Sequence, residues 1–145
     1  MTDSHELAWA AGLFDGEGTT FASRAMKRAR RNVRLHMAIR MTTIDDIERF
    51  HRAIGLGSIN GPYAGKGNRK QQWAWRAGTE ENVRRCIELL WPYLGKTKRA
   101  QASAALKTRD DHLANPEPLN LRKQVCRRGH DQGVYRKVAP CGTSR

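Results

Sequence analysis

The sequence predicts an α+β domain: an antiparallel four-stranded sheet with helices on one face. Three observations carry this expectation. Val33, Leu35, Met37, Ile39 and Met41 alternate with Arg34, His36, Ala38, Arg40 and Thr42, the period of a strand with one apolar side. Apolar residues recur at helical spacing through Ile47 and Phe50, and again through Val83, Cys86 or Ile87, and Leu90. Glycines, prolines and capping residues divide the chain in the order helix, two strands, helix, two strands, helices.

Asp3 followed by Glu6 fits a capping box, opening a helix through Leu7–Phe14 that Gly16 and Gly18 are expected to end. Thr19–Ala25 reads as a strand and the basic stretch Met26–Asn32 as a turn, before the alternating strand Val33–Met41. Thr43 caps a helix over Ile44–Ile54, stopped by Gly55 and Gly57. Ser58–Tyr63 is extended, and a Gly- and Lys-rich loop leads into the strand Gln71–Ala77. Thr79 caps a helix reaching Trp91, where Pro92 breaks it, and a last helix spans Thr97–Leu113. The expected division is a domain over 1–113, a linker over 114–122 marked by Asn115-Pro116-Glu117-Pro118, and a basic tail over 123–145 too short for a core of its own.

Charge narrows the function. Among 145 residues, 27 are Lys or Arg and 14 Asp or Glu, a formal net charge of +13, and apolar residues reach only 39%. A field of that size and sign attracts polyanions. No apolar run approaches the roughly 20 residues a bilayer requires, and Met1–Glu6 does not read as a signal peptide, so neither a membrane protein nor a secreted one is expected. Three cysteines cannot close a disulfide set and suit a reducing compartment.

The basic residues are clustered. If helices cover the apolar side of Val33–Met41, Arg34, His36 and Arg40 face outward, joined by Ser58, Asn60, Gln72 and Arg76, and by Arg24 if its pairing turns it that way. Such donors and acceptors read base edges in a major groove, while Lys27, Arg28, Arg30, Arg31, Lys66, Arg69 and Lys70 would grip phosphates. The bland alternative is an idle solvated face, which ordinarily mixes both signs of charge; this one has no acid. Trp73 and Trp75 have the opposite parity from Gln72 and Arg76, which favours core packing over base stacking.

Asp15 and Glu17 stand at the end of the first helix, where the dipole favours cations. Their counter-charge is either the chain's own basic residues or a divalent cation, Mg²⁺ being suited to hard oxygen ligands. Ala8, Ala11 and Gly12 give that helix a small-residue stripe fit for close helix–helix approach.

Ala10-Ala11-Gly12-Leu13-Phe14-Asp15-Gly16-Glu17-Gly18 resembles the LAGLIDADG motif of homing endonucleases, and the element order and Trp91-Pro92-Tyr93-Leu94 with its following lysines resemble the same family over about residues 5–110. The resemblance implies the αββαββα domain of that family, with double-stranded DNA on the open side of the sheet. One motif copy implies a homodimer joined through Ala8, Ala11 and Gly12, cutting both strands of a long, roughly palindromic DNA site. It also implies a catalytic, metal-binding Glu17, with the Gly16 backbone as a further ligand and a more structural Asp15. Lys98, or Lys96 close behind it, would assist catalysis. Mg²⁺ or Mn²⁺ is the implied cofactor, with Ca²⁺ as a non-catalytic substitute. The chain departs from the family near Met41, apolar where many members carry a polar residue, unless the register moves to Arg40 or Thr42.

In the tail, Cys126, His130 and Cys141 are similar to a zinc-binding element whose fourth ligand position holds Ser144. The alternative is a basic tail that adds phosphate affinity. The whole reading places the protein inside the cell on DNA, bacterial, phage-encoded or organellar. Its rivals are a non-cleaving DNA-binding regulator, an RNA-binding intron maturase and an architectural basic protein.

Overall fold

The computed structural model describes residues 3–27 and 30–116, except the side chains of residues 25–27, 30 and 31. Among the described residues, four helices and four strands follow one another as α1 (Ser4–Glu17), β1 (Gly18–Lys27), β2 (Arg30–Met41), α2 (Ile44–Ile54), β3 (Ser58–Tyr63), β4 (Gln72–Ala77), α3 (Glu80–Leu90) and α4 (Lys96–Ala114). The strands form one antiparallel sheet in the order β1-β2-β4-β3. All four helices belong to one side of it.

The apolar side of β2 is the reason for this layering. Val33, Leu35, Met37 and Ile39 are buried, and Met41 is half-buried. Opposite them Ile47, Phe50 and Ile54 of α2, Val83, Cys86, Ile87 and Leu90 of α3, and Leu7, Ala10, Ala11 and Phe14 of α1 complete the core. Its aromatic centre is Phe50, 6.3 Å from Phe14 and edge-on to Trp75 at 4.9 Å. The Trp75 indole donates to the Leu56 carbonyl at 2.9 Å, so its one polar atom is satisfied in the interior. Trp73 lies on the same inward side, half-buried against the core. Ala102 and Ala105 let α4 approach β1 and β2 closely.

Several local expectations are corrected. The β1–β2 ladder continues to the Lys27–Arg30 pair, so most of Met26–Asn32 is strand rather than turn; the backbone ladder outlasts the apolar alternation that marked it in sequence. Helix α1 runs through Gly16 and is capped at Gly18, whose N–H reaches the Phe14 carbonyl. Asp3 caps α1 through the His5 N–H at 2.9 Å, but Glu6 does not close a capping box: Arg49 of α2 holds both its oxygens, at 2.7 and 3.0 Å. Thr43 occupies the cap of α2 without a side-chain hydrogen bond, whereas Thr79 does accept from the Asn82 N–H. Gly55 ends α2 in the left-handed conformation at φ 69°. Among the described residues no helix is long and apolar enough to cross a membrane.

Candidate functional site

The open side of the sheet follows from its register. Residues directly opposite each other on neighbouring strands share a face. Arg34 pairs with Ser23, His36 with Phe21, Ala38 with Thr19 and Arg76, Arg40 with Ala74, and Arg76 in turn with Ser58. Beyond an irregularity in β3, Tyr63 pairs with Gln72. This places Arg34, His36, Arg40, Ser58, Asn60, Gln72 and Arg76 on one surface, away from the helices. None of the four strands contains an Asp or Glu. Lys66, Arg69 and Lys70 are exposed in the loop joining β3 to β4.

Arg24 is a correction. It pairs with Val33, whose side chain is buried beneath the sheet, so Arg24 emerges on the helix-covered side. Arg28, Cys126, His130 and Cys141 lie outside the described residues, as do the side chains of Lys27, Arg30 and Arg31.

A concavity of about 670 Å³ opens on this surface, lined by Glu17, Thr19, Phe21, His36, Arg40 and Arg76 among others. Glu17 reaches it because α1 ends where β1 begins, on the exposed rim of the sheet. Gly18 makes that junction: a Cβ there would collide with the Phe14 ring, so glycine lets the chain pass over the core.

The two acids at the negative end of α1 have separate fates. Both Asp15 oxygens accept from the Gly95 N–H, at 2.9 and 3.1 Å. Gly95 is the N-cap of α4, the positive end of that helix, which answers the charge of Asp15. This clamp sets the first turn of α4 beside the last turn of α1. Lys98, in that first turn, donates to the Gly18 carbonyl, next to Glu17. A cation thus stands at the end of α1 after all, supplied by another helix. Gln101, one turn further, accepts from the Thr20 N–H at 3.4 Å and ties α4 to β1. Lys96 is exposed and makes no comparable contact with α1 among the described residues.

Glu17 is exposed and keeps its carboxylate free of described side-chain partners. Among the described residues no group of three or more His, Cys, Asp and Glu is placed to hold a metal ion. One free carboxylate with exposed backbone at Gly16 is an incomplete set of hard oxygen donors. It suits Mg²⁺, which keeps its waters and binds through one or two carboxylates plus substrate phosphates.

Of the expected interface residues, Ala8 and Gly12 are exposed, and a Cβ built on Gly12 meets nothing within 4 Å. Ala11 is a second correction: it is fully buried in its own core and belongs to no exposed stripe. Sequence reasoning missed Phe21 and Tyr63, both on the open face, at 46% and 41% exposure. Phe21 stacks on His36 with ring centroids 4.9 Å apart, and Arg40 lies 5.7 Å from the Tyr63 ring. The signal for Phe21 was available, because it has the parity of Thr19 and Ser23, opposite to buried Thr20.

No family model and no curated protein matches the sequence. Solved structures do. The homing endonuclease I-CvuI in complex with its target in the presence of calcium is 23% identical, with a TM-score of 0.61 over 79% of this chain and 73% of that one. The same enzyme has also been solved with a target in the presence of magnesium, the DNA uncleaved. The LAGLIDADG homing endonuclease I-GzeII in complex with DNA is 16% identical with a TM-score of 0.61, over 74% of this chain but 36% of that one. The group I intron-encoded homing endonuclease I-CeuI complexed with DNA is 13% identical, with a TM-score of 0.61 over 88% and 64%. The chain has the fold of LAGLIDADG homing endonucleases.

Proposed function

We propose that this chain, built on that fold, is a homodimeric DNA endonuclease making a divalent-metal-dependent double-strand cut in a long, roughly palindromic site. The observation that carries the reading is an exposed Glu17 on the concavity, with Lys98 held on the adjacent Gly18 carbonyl, beside a sheet face whose strands carry arginines and no acid. The similar structures are complexes with DNA, which supports the same ligand here. The protein would accordingly work inside the cell, on DNA.

The arginines and polar residues of the open face would read bases, and the loop cations Lys66, Arg69 and Lys70 would hold phosphates. Glu17, with the Gly16 carbonyl, would hold Mg²⁺ or Mn²⁺; Ca²⁺ would fill the site without supporting the cut. When bound, the cation supplies an activated water and neutralises charge at the scissile phosphate. Lys98 spends one of its three N–H donors on the Gly18 carbonyl. The other two remain to stabilise charge developing on the phosphate, without proton transfer. Asp15 would position rather than react: its hold on Gly95 sets the first turn of α4, which carries Lys98, beside the end of α1.

Two copies complete the site. Ala8, Gly12 and Gly16 form an exposed stripe of small residues along α1, narrow enough for the same helix of a partner to lie against it. A twofold axis there brings two Glu17 carboxylates together, one for each DNA strand.

The test is Glu17→Gln with a duplex selected for binding from a random library. Wild-type protein should cut both strands with Mg²⁺, and the variant should bind equally while cleavage falls by at least a thousandfold. Wild-type protein that binds the duplex and never cuts it would instead make this a non-cleaving regulator.

A further inference from the structure

Phe21 is out of place on the surface just described. A phenyl ring left about half exposed forfeits the gain of burial, and its neighbours on the same face are Thr19, Ser23, Arg40 and Arg76. It is nevertheless held in a defined position. Its register partner is His36, the two rings lie 17° from parallel with centroids 4.9 Å apart, and His36 Nε2 shares a 2.6 Å hydrogen bond with Ser23 Oγ. One ring face of Phe21 is thereby covered, which makes it a poor wedge for insertion between base pairs. Both rings line the same concavity as Glu17.

We propose that Phe21 and His36 form a fixed apolar platform that recognises the 5-methyl group of one thymine in each half-site. The inference rests on the DNA-binding reading above and assigns these two residues a specificity within it. Base edges in the major groove present donors and acceptors at every pair, and the thymine methyl is their one apolar group. An apolar platform among arginines, on a sheet whose strands carry no acid, therefore has one complementary partner in a duplex. Burial, and then the charges of Arg34 and Arg76, hold the His36 imidazole below its usual pKa. The ring beside Phe21 is accordingly neutral near pH 7, as an apolar platform requires.

The experiment uses the full chain and a duplex selected from a random library, with affinities measured at one fixed salt concentration. Each thymine is replaced in turn by deoxyuridine, which removes the methyl and keeps the base pair. Wild-type protein should lose about fourfold in affinity at one position per half-site, the worth of a single methyl group returned to water. Cytosine there should bind better once methylated at C5. Phe21→Ala should bind thymine and uracil equally at that position while leaving every other position unchanged. Phe21→Leu, which keeps an apolar group, should retain most of the discrimination. Overturning results are a wild-type protein indifferent to uracil at every position, or a Phe21→Ala protein that still discriminates. Failure to enrich any duplex would instead remove the DNA-binding reading, and the platform with it.

Discussion

His36 concentrates the chemistry of the open face in one ring. It stacks on Phe21, bonds Ser23 and stands near Arg34 and Arg76. Burial first, and those two guanidinium charges second, disfavour its imidazolium in the folded state. The unfolded chain therefore takes up this proton at a higher pH than the fold does. Its contribution to stability is fully present above the ordinary histidine pKa and declines as pH falls below it. The urea midpoint should accordingly drop between about pH 7.5 and about pH 5.5, and His36→Gln should flatten that drop. An unchanged slope in the variant would place the acid sensitivity elsewhere. Cys86 has no such role: burial pushes its thiol up to about 12, and it fills space in the core.

Helix α1 serves two surfaces at once. Leu7, Ala10, Ala11 and Phe14 face the core, while Ala8 and Gly12 face outward. The exposed small side is the one that the proposed dimer would cover with the same helix of a second copy. Gly12 separates folding from assembly. Because a Cβ there meets nothing within 4 Å, Gly12→Ala should leave the protomer as stable or up to about 1 kcal/mol more so, through helix propensity. Gly12→Leu should fold with native circular dichroism and sediment as a monomer. A Gly12→Leu protein that remains dimeric would move the interface off α1. At the other end of the helical layer, Glu80 binds Arg84 at 2.9 Å and Arg109 at 2.8 Å, and Arg109 also donates to the Val33 carbonyl. Burial pushes the Glu80 carboxyl up, but the two guanidinium partners outweigh it and hold it below the usual range. This cluster ties α3 and α4 to β2 on the side away from the proposed DNA and plays no part in the site.

At the scale of the whole molecule, the charges of the described residues are distributed unequally over two faces. The helical side pairs its charges, as in Arg49 with Glu6 and Lys107 with Asp111. The sheet side has cations and no strand acid to pair with them. Arg34, Arg40, Arg76, Lys66, Arg69 and Lys70 are all exposed there or in the adjoining loop. If each of the loop cations Lys66, Arg69 and Lys70 neutralises one phosphate while the arginines read bases, the logarithm of affinity should fall against the logarithm of salt with a slope of about −3 per protomer, from about −0.9 per phosphate contact. A titration over salt measures it. A slope near −1, or equal affinity for every duplex, would count against the open face as the DNA surface.

Periodicity and punctuation were enough to specify the element order, the inward side of β2, the helical stripes of α2 and α3, and the suspicion attached to Asp15 and Glu17, because each is written within a single segment. Strand pairing is written between segments. Only the register revealed that Arg24 follows Val33 to the helix side, that Phe21 meets His36, and that β1 and β2 extend through a stretch that reads as a turn. The same holds at the site: Lys98 lies eighty residues from Gly18 in the chain, and only the packing of α4 beside the end of α1, where Asp15 holds Gly95, brings its amine onto the Gly18 carbonyl. Local chemistry decides what a segment can form; which side chains share a surface depends on contacts between distant segments, and those exist only in the folded chain.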